Sequence, residues 1–242
     1  TVFLPEIVEL QMVAGAYLSE YGHNQEAQAL VEQALQMSEQ VDEAEVKAMA
    51  MHELARIYRR RGMYAEAESL FLHSLAISEQ LEPETPDVAT TLNVLAFLYT
   101  QQGRYTEAKP LFLRALAIYE SLLGSEDLNT AQCLSNLGRF YTEQSEYDQA
   151  EHFYRRALII RERKLGSDHP NVAQCLHGLA ILYQKQGKNG EAESLYLRAQ
   201  LIYSKKMLRQ EHPYMQSVHR DYASLLQTMG RGEEAKALGE SN

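Results

Sequence analysis

The chain has 242 residues, 45% of them hydrophobic, with 13 glycines, 6 prolines and a formal charge of −10. Such acidity excludes a nucleic-acid or anionic-membrane partner, because both need a basic face, and no apolar run approaches the about 18 residues that a membrane-spanning helix requires. The start, Thr1 to Pro5, lacks the basic-then-apolar profile of a secretory signal and an initiator methionine, so the chain is read as a fragment of a longer protein.

In chain order, an alanine followed seven residues later by another small residue recurs at Ala27/Ala34, Ala67/Ser74, Ala108/Ala115, Ala150/Ala157 and Ala192/Ala199, with a sixth start at Ala235. Successive first alanines are 40, 41, 42, 42 and 43 residues apart. A period of that size marks units that bury their apolar faces by stacking on their neighbours. We therefore expect one repeat domain over 1–242 with units near 1–40, 41–82, 83–124, 125–166, 167–209 and 210–242.

Within the third unit, Thr85 offers an N-cap oxygen and Pro86 occupies the first helical position, where a missing N–H costs nothing. Val88, Leu92, Leu95, Leu98 and Tyr99 form a helical stripe that stops at Gly103. A second helix carries Ala108, Leu111, Phe112, Ala115, Leu116 and Tyr119 and ends near Gly124, which suits a left-handed C-cap. The fourth unit repeats this over Leu128–Gln144 and Tyr147–Leu165, and the fifth over Pro170–Gln186 and Asn189–Leu208. Pro170 and Pro213 open helices, preceded by His169 and His212. Ala96, Gly138, Ala180 and Ala223 let paired helices approach closely. Cys133 and Cys175 lie 42 residues apart, on stacked helices about 10 Å apart, and read as small apolar fillers whose reduced thiols point to the cytoplasm.

These residues resemble tetratricopeptide repeats. The run Leu95-Ala96, Tyr99, Ala108, Phe112, Ala115 recurs as Leu137-Gly138, Tyr141, Ala150, Tyr154, Ala157 and as Leu179-Ala180, Tyr183, Ala192, Tyr196, Ala199. The longer period and segments such as Gly166-Ser167-Asp168-His169-Pro170 are similar to the kinesin light chain-like variety. The likeness departs at Ala14-Gly15 and Leu18 in the first unit and in the short last helix. It implies an all-α, right-handed superhelical solenoid of about six antiparallel helix pairs, with first helices lining a concave groove.

Counting from each Leu-small pair, the candidate peptide-binding groove is His52, Arg56, Arg59, Asn93, Phe97, Gln101, Gln132, Ser135, Arg139, Gln174, His177, Ile181, Lys185 and Arg220. With Arg60 added, six cations stand there against Glu143, while the first unit contributes Glu9 and Glu20. Arginine forks suit carboxylates, so the expected ligand is an extended peptide carrying acidic residues, with Phe97 and Ile181 supplying apolar contacts and His52 and His177 facing solvent. The opposing reading pairs these cations with neighbouring acids such as Glu53 and Glu143.

No phosphate loop, metal motif or enclosed carboxylate pair occurs in the sequence, so no cofactor and no catalysis are expected. The function read from the chain is a cytoplasmic protein-binding adaptor or scaffold. The alternative is a sensor or autoinhibitory repeat domain of a larger signalling protein, a nucleotide-switching ATPase or a caspase-like protease. The expected state is a monomer or a weak homo-oligomer formed where Leu225, Leu226 and Leu238 leave the last repeat open.

Overall fold

A computed structural model of the chain describes residues 4–39, 44–205 and 213–240, and these form twelve helices and no strand. The helices are α1 (Leu4–Glu20), α2 (Asn24–Ser38), α3 (Ala44–Arg60), α4 (Tyr64–Leu81), α5 (Pro86–Gln101) and α6 (Tyr105–Leu122), then α7 (Leu128–Glu143), α8 (Tyr147–Leu165), α9 (Pro170–Lys185), α10 (Asn189–Lys205), α11 (Pro213–Thr228) and α12 (Gly232–Glu240). Leu208 and His212 lie outside the described residues. Contacts divide the chain into two compact halves, one ending at Leu123 and one starting at Gly124.

Each half is a stack of three antiparallel pairs. In the first, α1 packs on α2, α3 on α4 and α5 on α6, while α1, α3 and α5 also touch in succession. In the second, α7, α9 and α11 hold the corresponding places beside α8, α10 and α12. The periodic small residues make this possible: Ala27, Ala34, Ala67, Ala108 and Ala115 in one half, and Ala150, Ala157, Ala192 and Ala199 in the other, are all fully buried. Ser74 is the polar exception, and its hydroxyl donates to the Ala48 carbonyl at 2.7 Å.

Helix starts follow the expected chemistry. Thr85 accepts from the Val88 amide at 3.2 Å with Pro86 next in line, Asp127 caps α7 through the Asn129 amide, and the His169 ring nitrogen Nδ1 accepts from the Asn171 amide. Inside each pair the turn needs a residue at positive φ. Gly103 and Gly187 supply it at +74° and +75°, but Ser145 holds the matching place at +61°. The closing bonds are the same, Arg104 N–H to Tyr99 O and Glu146 N–H to Tyr141 O, both 2.9 Å. Ser145 thus adopts a conformation that disfavours any residue with a Cβ.

A second device recurs between pairs. Tyr58, Tyr99, Tyr183 and Tyr222 each donate a phenolic hydrogen bond to a glutamate on the second helix of the preceding pair: Glu32, Glu68, Glu151 and Glu193. Burial and those carboxylates push the Tyr99 and Tyr222 phenols up to about 12, which keeps them donors.

The last repeat corrects one expectation. Leu225 and Leu226 are buried and Leu238 is half-buried, so α11 and α12 close against each other and the predicted open leucine face does not exist. No helix among the described residues is long and apolar enough to cross a membrane.

Candidate functional site

The sequence-predicted groove residues all lie on first helices, α3 and α5 in the N-terminal half and α7, α9 and α11 in the C-terminal half. In the N-terminal half, Arg59 lies with its guanidinium carbon 5.1 Å from the Phe97 ring centre and donates to Gln101 Oε1 at 3.1 Å. This joins three predicted residues across α3 and α5. Arg56 is held by Glu53, one turn back on the same helix, and Arg60 reaches Ser19 Oγ at 3.3 Å. Asn93 is buried.

His52 departs from the solvent-facing role expected of it. Its ring is half-buried, edge-on to Phe71, and its Nδ1 lies 3.0 Å from Thr91 Oγ1. Burial, with Arg56 nearby, lowers its pKa to about 3, so the ring is neutral at physiological pH.

In the C-terminal half several predicted residues are committed internally. The Gln132 carbonyl accepts from Arg161 Nη2 at 2.6 Å, and its amide donates to Asn136. Ser135 Oγ lies 3.3 Å from Cys175 Sγ. His177, also expected in solvent, is half-buried and meets Asp221 Oδ2 at 2.9 Å. Lys185 pairs with Glu143 at 3.2 Å, and Arg220 with Asp221 and Ser217. Three cations of this face, Arg139, Lys185 and Arg220, therefore stand among two acids, Glu143 and Asp221. Gln174 is half-buried and Arg139 exposed.

What remains is a cleft of about 490 Å³ bordered by α9, α10 and α11, lined by Ile181, Gln184, Lys185, Asn189, Tyr196, Asp221, Ser224 and Thr228. Tyr196 donates to Gln184 Oε1 at 2.9 Å, which leaves the Gln184 amide nitrogen as the free end of that side chain. Its lining combines apolar Ile181 and Tyr196, the amides Gln184 and Asn189, the hydroxyls Ser224 and Thr228, and the charges Lys185 and Asp221, which pair with Glu143 and His177. Amides and hydroxyls of that kind can meet a peptide backbone.

The cleft lining includes Ile181 and Lys185, which the sequence reading placed in the groove, and Asp221, which it did not list and which occupies the place held by Asn136 and Gly178 in the two preceding repeats. That reading also missed Arg161, which takes the place of Tyr119 and Tyr203 and is just as buried. Arg161 binds the Asn171 carbonyl at 2.8 Å and approaches Cys175 Sγ at 3.3 Å. Cys133 and Cys175 are free, buried thiols. Among the described residues, no group of three or more His, Cys, Asp or Glu is placed to hold a metal ion.

The model of the tetratricopeptide repeat matches residues 10–84, 87–162 and 134–205. The chain belongs to the tetratricopeptide repeat family. Tetratricopeptide arrays are in general non-catalytic interaction modules, in keeping with the extended surfaces that stacked repeats present. Among solved structures, the nearly identical TPR-like repeats of a putative kinesin light chain from Podosopora anserina are 28% identical, at a TM-score of 0.63 over 84% of this chain and 97% of that one. BtubC (BKLC) from P. vanneervenii is 21% identical, at 0.67 over 97% and 89%. A Rap protein complexed with Competence and Sporulation Factor is 16% identical, at 0.76 over 97% and 73%. No curated protein matches the sequence.

Proposed function

We propose that this tetratricopeptide chain is a non-catalytic adaptor that binds an extended peptide or partner segment on its first-helix faces. The observation that carries the reading is the cleft of the C-terminal half, with apolar Ile181 and Tyr196 and the hydrogen-bonding groups of Gln184, Asn189, Ser224 and Thr228 in its lining. A Rap protein of similar fold is complexed with Competence and Sporulation Factor, which supports a binding role for the fold. The first-helix face of the N-terminal half, taken by itself, sets Arg59 against Phe97, a cation and an apolar ring suited to an acidic segment. In the C-terminal half Lys185, which also pairs with Glu143, and Arg139 lie on first helices. Reduced, buried Cys133 and Cys175 agree with a cytoplasmic setting.

The test is selection from a displayed library of random linear peptides with this chain as bait. Enrichment of peptides containing Asp or Glu is expected, with affinity falling about tenfold, or about 1.4 kcal/mol, in Ile181→Arg for peptides held by the C-terminal half and in Arg56→Glu/Arg59→Glu for those held by the N-terminal half. No enrichment over an unrelated helical protein, or binding indifferent to both variants, refutes the reading.

A further inference from the structure

Ser145 stands where the turn inside every other described pair has a glycine: Gly22, Gly62, Gly103, Gly187 and Gly230, with φ between +74° and +90°. At φ +61° it carries a Cβ in the left-handed region, which disfavours any side chain. Nothing in the packing asks for that side chain. A Cβ built at any of the five glycines meets no atom within 4 Å, Ser145 is exposed, and its hydroxyl has no hydrogen-bond partner among the described residues. A strained residue that supports no contact of its own points to a use outside the fold.

Two neighbourhoods give the chemistry of that use. Along the chain the residues after the hydroxyl are Glu146-Tyr147-Asp148, so a carboxylate follows it directly and another stands two positions further on. In space, Ser145 borders a cleft of about 660 Å³ that is also lined by Lys185, at the end of α9, and Lys188, in the next turn. Lys185 pairs with Glu143 at 3.2 Å, and the Lys188 ammonium lies 5.3 Å from the centre of the Tyr183 ring. Each ammonium has three donors, so neither is saturated. Glu146 is occupied in part by the Gln149 amide, which donates to it at 2.8 Å. One cleft thus holds an unengaged hydroxyl, acids just after it in sequence, and two cations able to receive a doubly charged group.

We infer that Ser145 is a phosphorylation site: an acid-directed serine kinase places a phosphate on its hydroxyl, and Lys185 and Lys188 hold that phosphate. In the transfer Ser145 Oγ forms a bond to the γ-phosphorus of a nucleoside triphosphate, the bond from that phosphorus to the bridging oxygen breaks, the nucleoside diphosphate leaves, and the hydroxyl proton passes to a carboxylate of the kinase. Glu146 and Asp148 match a basic substrate groove on such an enzyme. Once attached, the group carries about −1.5 to −2 charges, more than any carboxylate around it, and so competes with Glu143 for Lys185. This site is separate from the peptide cleft reading and does not depend on it.

The folded chain is incubated with ATP and a serine kinase of the casein-kinase type, and the phosphate is mapped by peptide mass spectrometry. Stoichiometric label at Ser145 is expected. Ser145→Gly, which keeps the turn and removes the strain, should lose that label, and Asp148→Asn should slow its appearance about tenfold. Phosphorus NMR then reads the contact: the second pKa of the phosphate, ordinarily about 6, should fall to about 5.5 or lower and return to about 6 or above in Lys185→Gln/Lys188→Gln. Both lysines are exposed, so circular dichroism should be unchanged in that variant. Absence of label at Ser145, label that appears only after denaturation, or a phosphate that titrates alike with and without the two lysines overturns the proposal.

Discussion

The imidazole of His177 on α9 meets the carboxylate of Asp221 on α11 at 2.9 Å, tying two successive first helices of the C-terminal half together beside the cleft. Burial alone would raise the Asp221 pKa, but hydrogen bonds and charge from His177 and Arg220 hold it below the ordinary 3.8. A carboxyl with a depressed pKa adds stability above its unfolded value and loses it as pH falls through the folded one. Asp221→Ala should therefore cost about 1–3 kcal/mol at about pH 7 and less near about pH 3, where the unfolded carboxylate has already begun to take up its proton and the advantage of the folded one shrinks. Thermal unfolding at the two pH values checks this.

Ser145 occupies a turn that glycine occupies in neighbouring repeats. At φ +61° its Cβ is strained, and Ser145→Gly should raise stability by about 1 kcal/mol, offset in part by the greater freedom of the unfolded chain. Chemical denaturation with an unchanged slope against denaturant would agree. A lower midpoint would contradict it.

Glycines 138 and 178 share one neighbour. A Cβ added at Gly138 would sit 2.7 Å from the Tyr154 ring, and one at Gly178 would sit 2.5 Å from it. The ring is buried between them and has nowhere to retreat. Either glycine to alanine should cost about 1–3 kcal/mol by overpacking. Tyr154→Leu should relieve most of that in the double variant, as a double-mutant cycle would reveal.

The lowered pKa of His52 has a definite direction. Folding holds it neutral down to about pH 3, while the unfolded ring takes a proton near 6.5. Stability contributed by the neutral ring is thus complete above about 6.5 and is lost as pH falls toward 3. Acidification from about pH 7 to about pH 5 should cost roughly 2 kcal/mol that His52→Gln does not show. Parallel pH dependence in both proteins would refute it.

Arg161 is buried without a carboxylate, its charge met by the Asn171 and Gln132 carbonyl oxygens and by Cys175. Arg161→Ala should cost about 2–5 kcal/mol through the cavity and the lost hydrogen bonds. Arg161→Tyr should cost less, since Tyr119 and Tyr203 fill the same place in adjacent repeats. Melting temperatures of the two variants would order them.

The recurring positions were readable because a repeat states its packing needs several times over. Small residues at Ala108/Ala115 and Ala150/Ala157, prolines at helix starts and glycines at turns each follow from local sterics, and the helices begin and end where those residues place them. Position alone picked out Ile181 and Lys185, which line the cleft, and Arg59 and Phe97, which meet. Pairing of these cations with Glu143 was one of two readings the sequence left open, and Lys185 makes that pair. Position could not say that Gln132 would be taken by Arg161 or His177 by Asp221, because those partners lie 29 and 44 residues away and meet only when the helices pack.

By itself the sequence determined that the chain is a stack of tetratricopeptide helix pairs, since periodic burial of small and aromatic residues allows no other arrangement of these faces. It also marked positions at which the first helices of successive repeats differ. Only the tertiary structure decided which of those differences are spent within the molecule and which remain on a surface, because hydrogen-bond partners and solvent exposure are properties of neighbours in space. That is why the last repeat, expected to be open at Leu225, Leu226 and Leu238, has Leu225 and Leu226 buried beside α12.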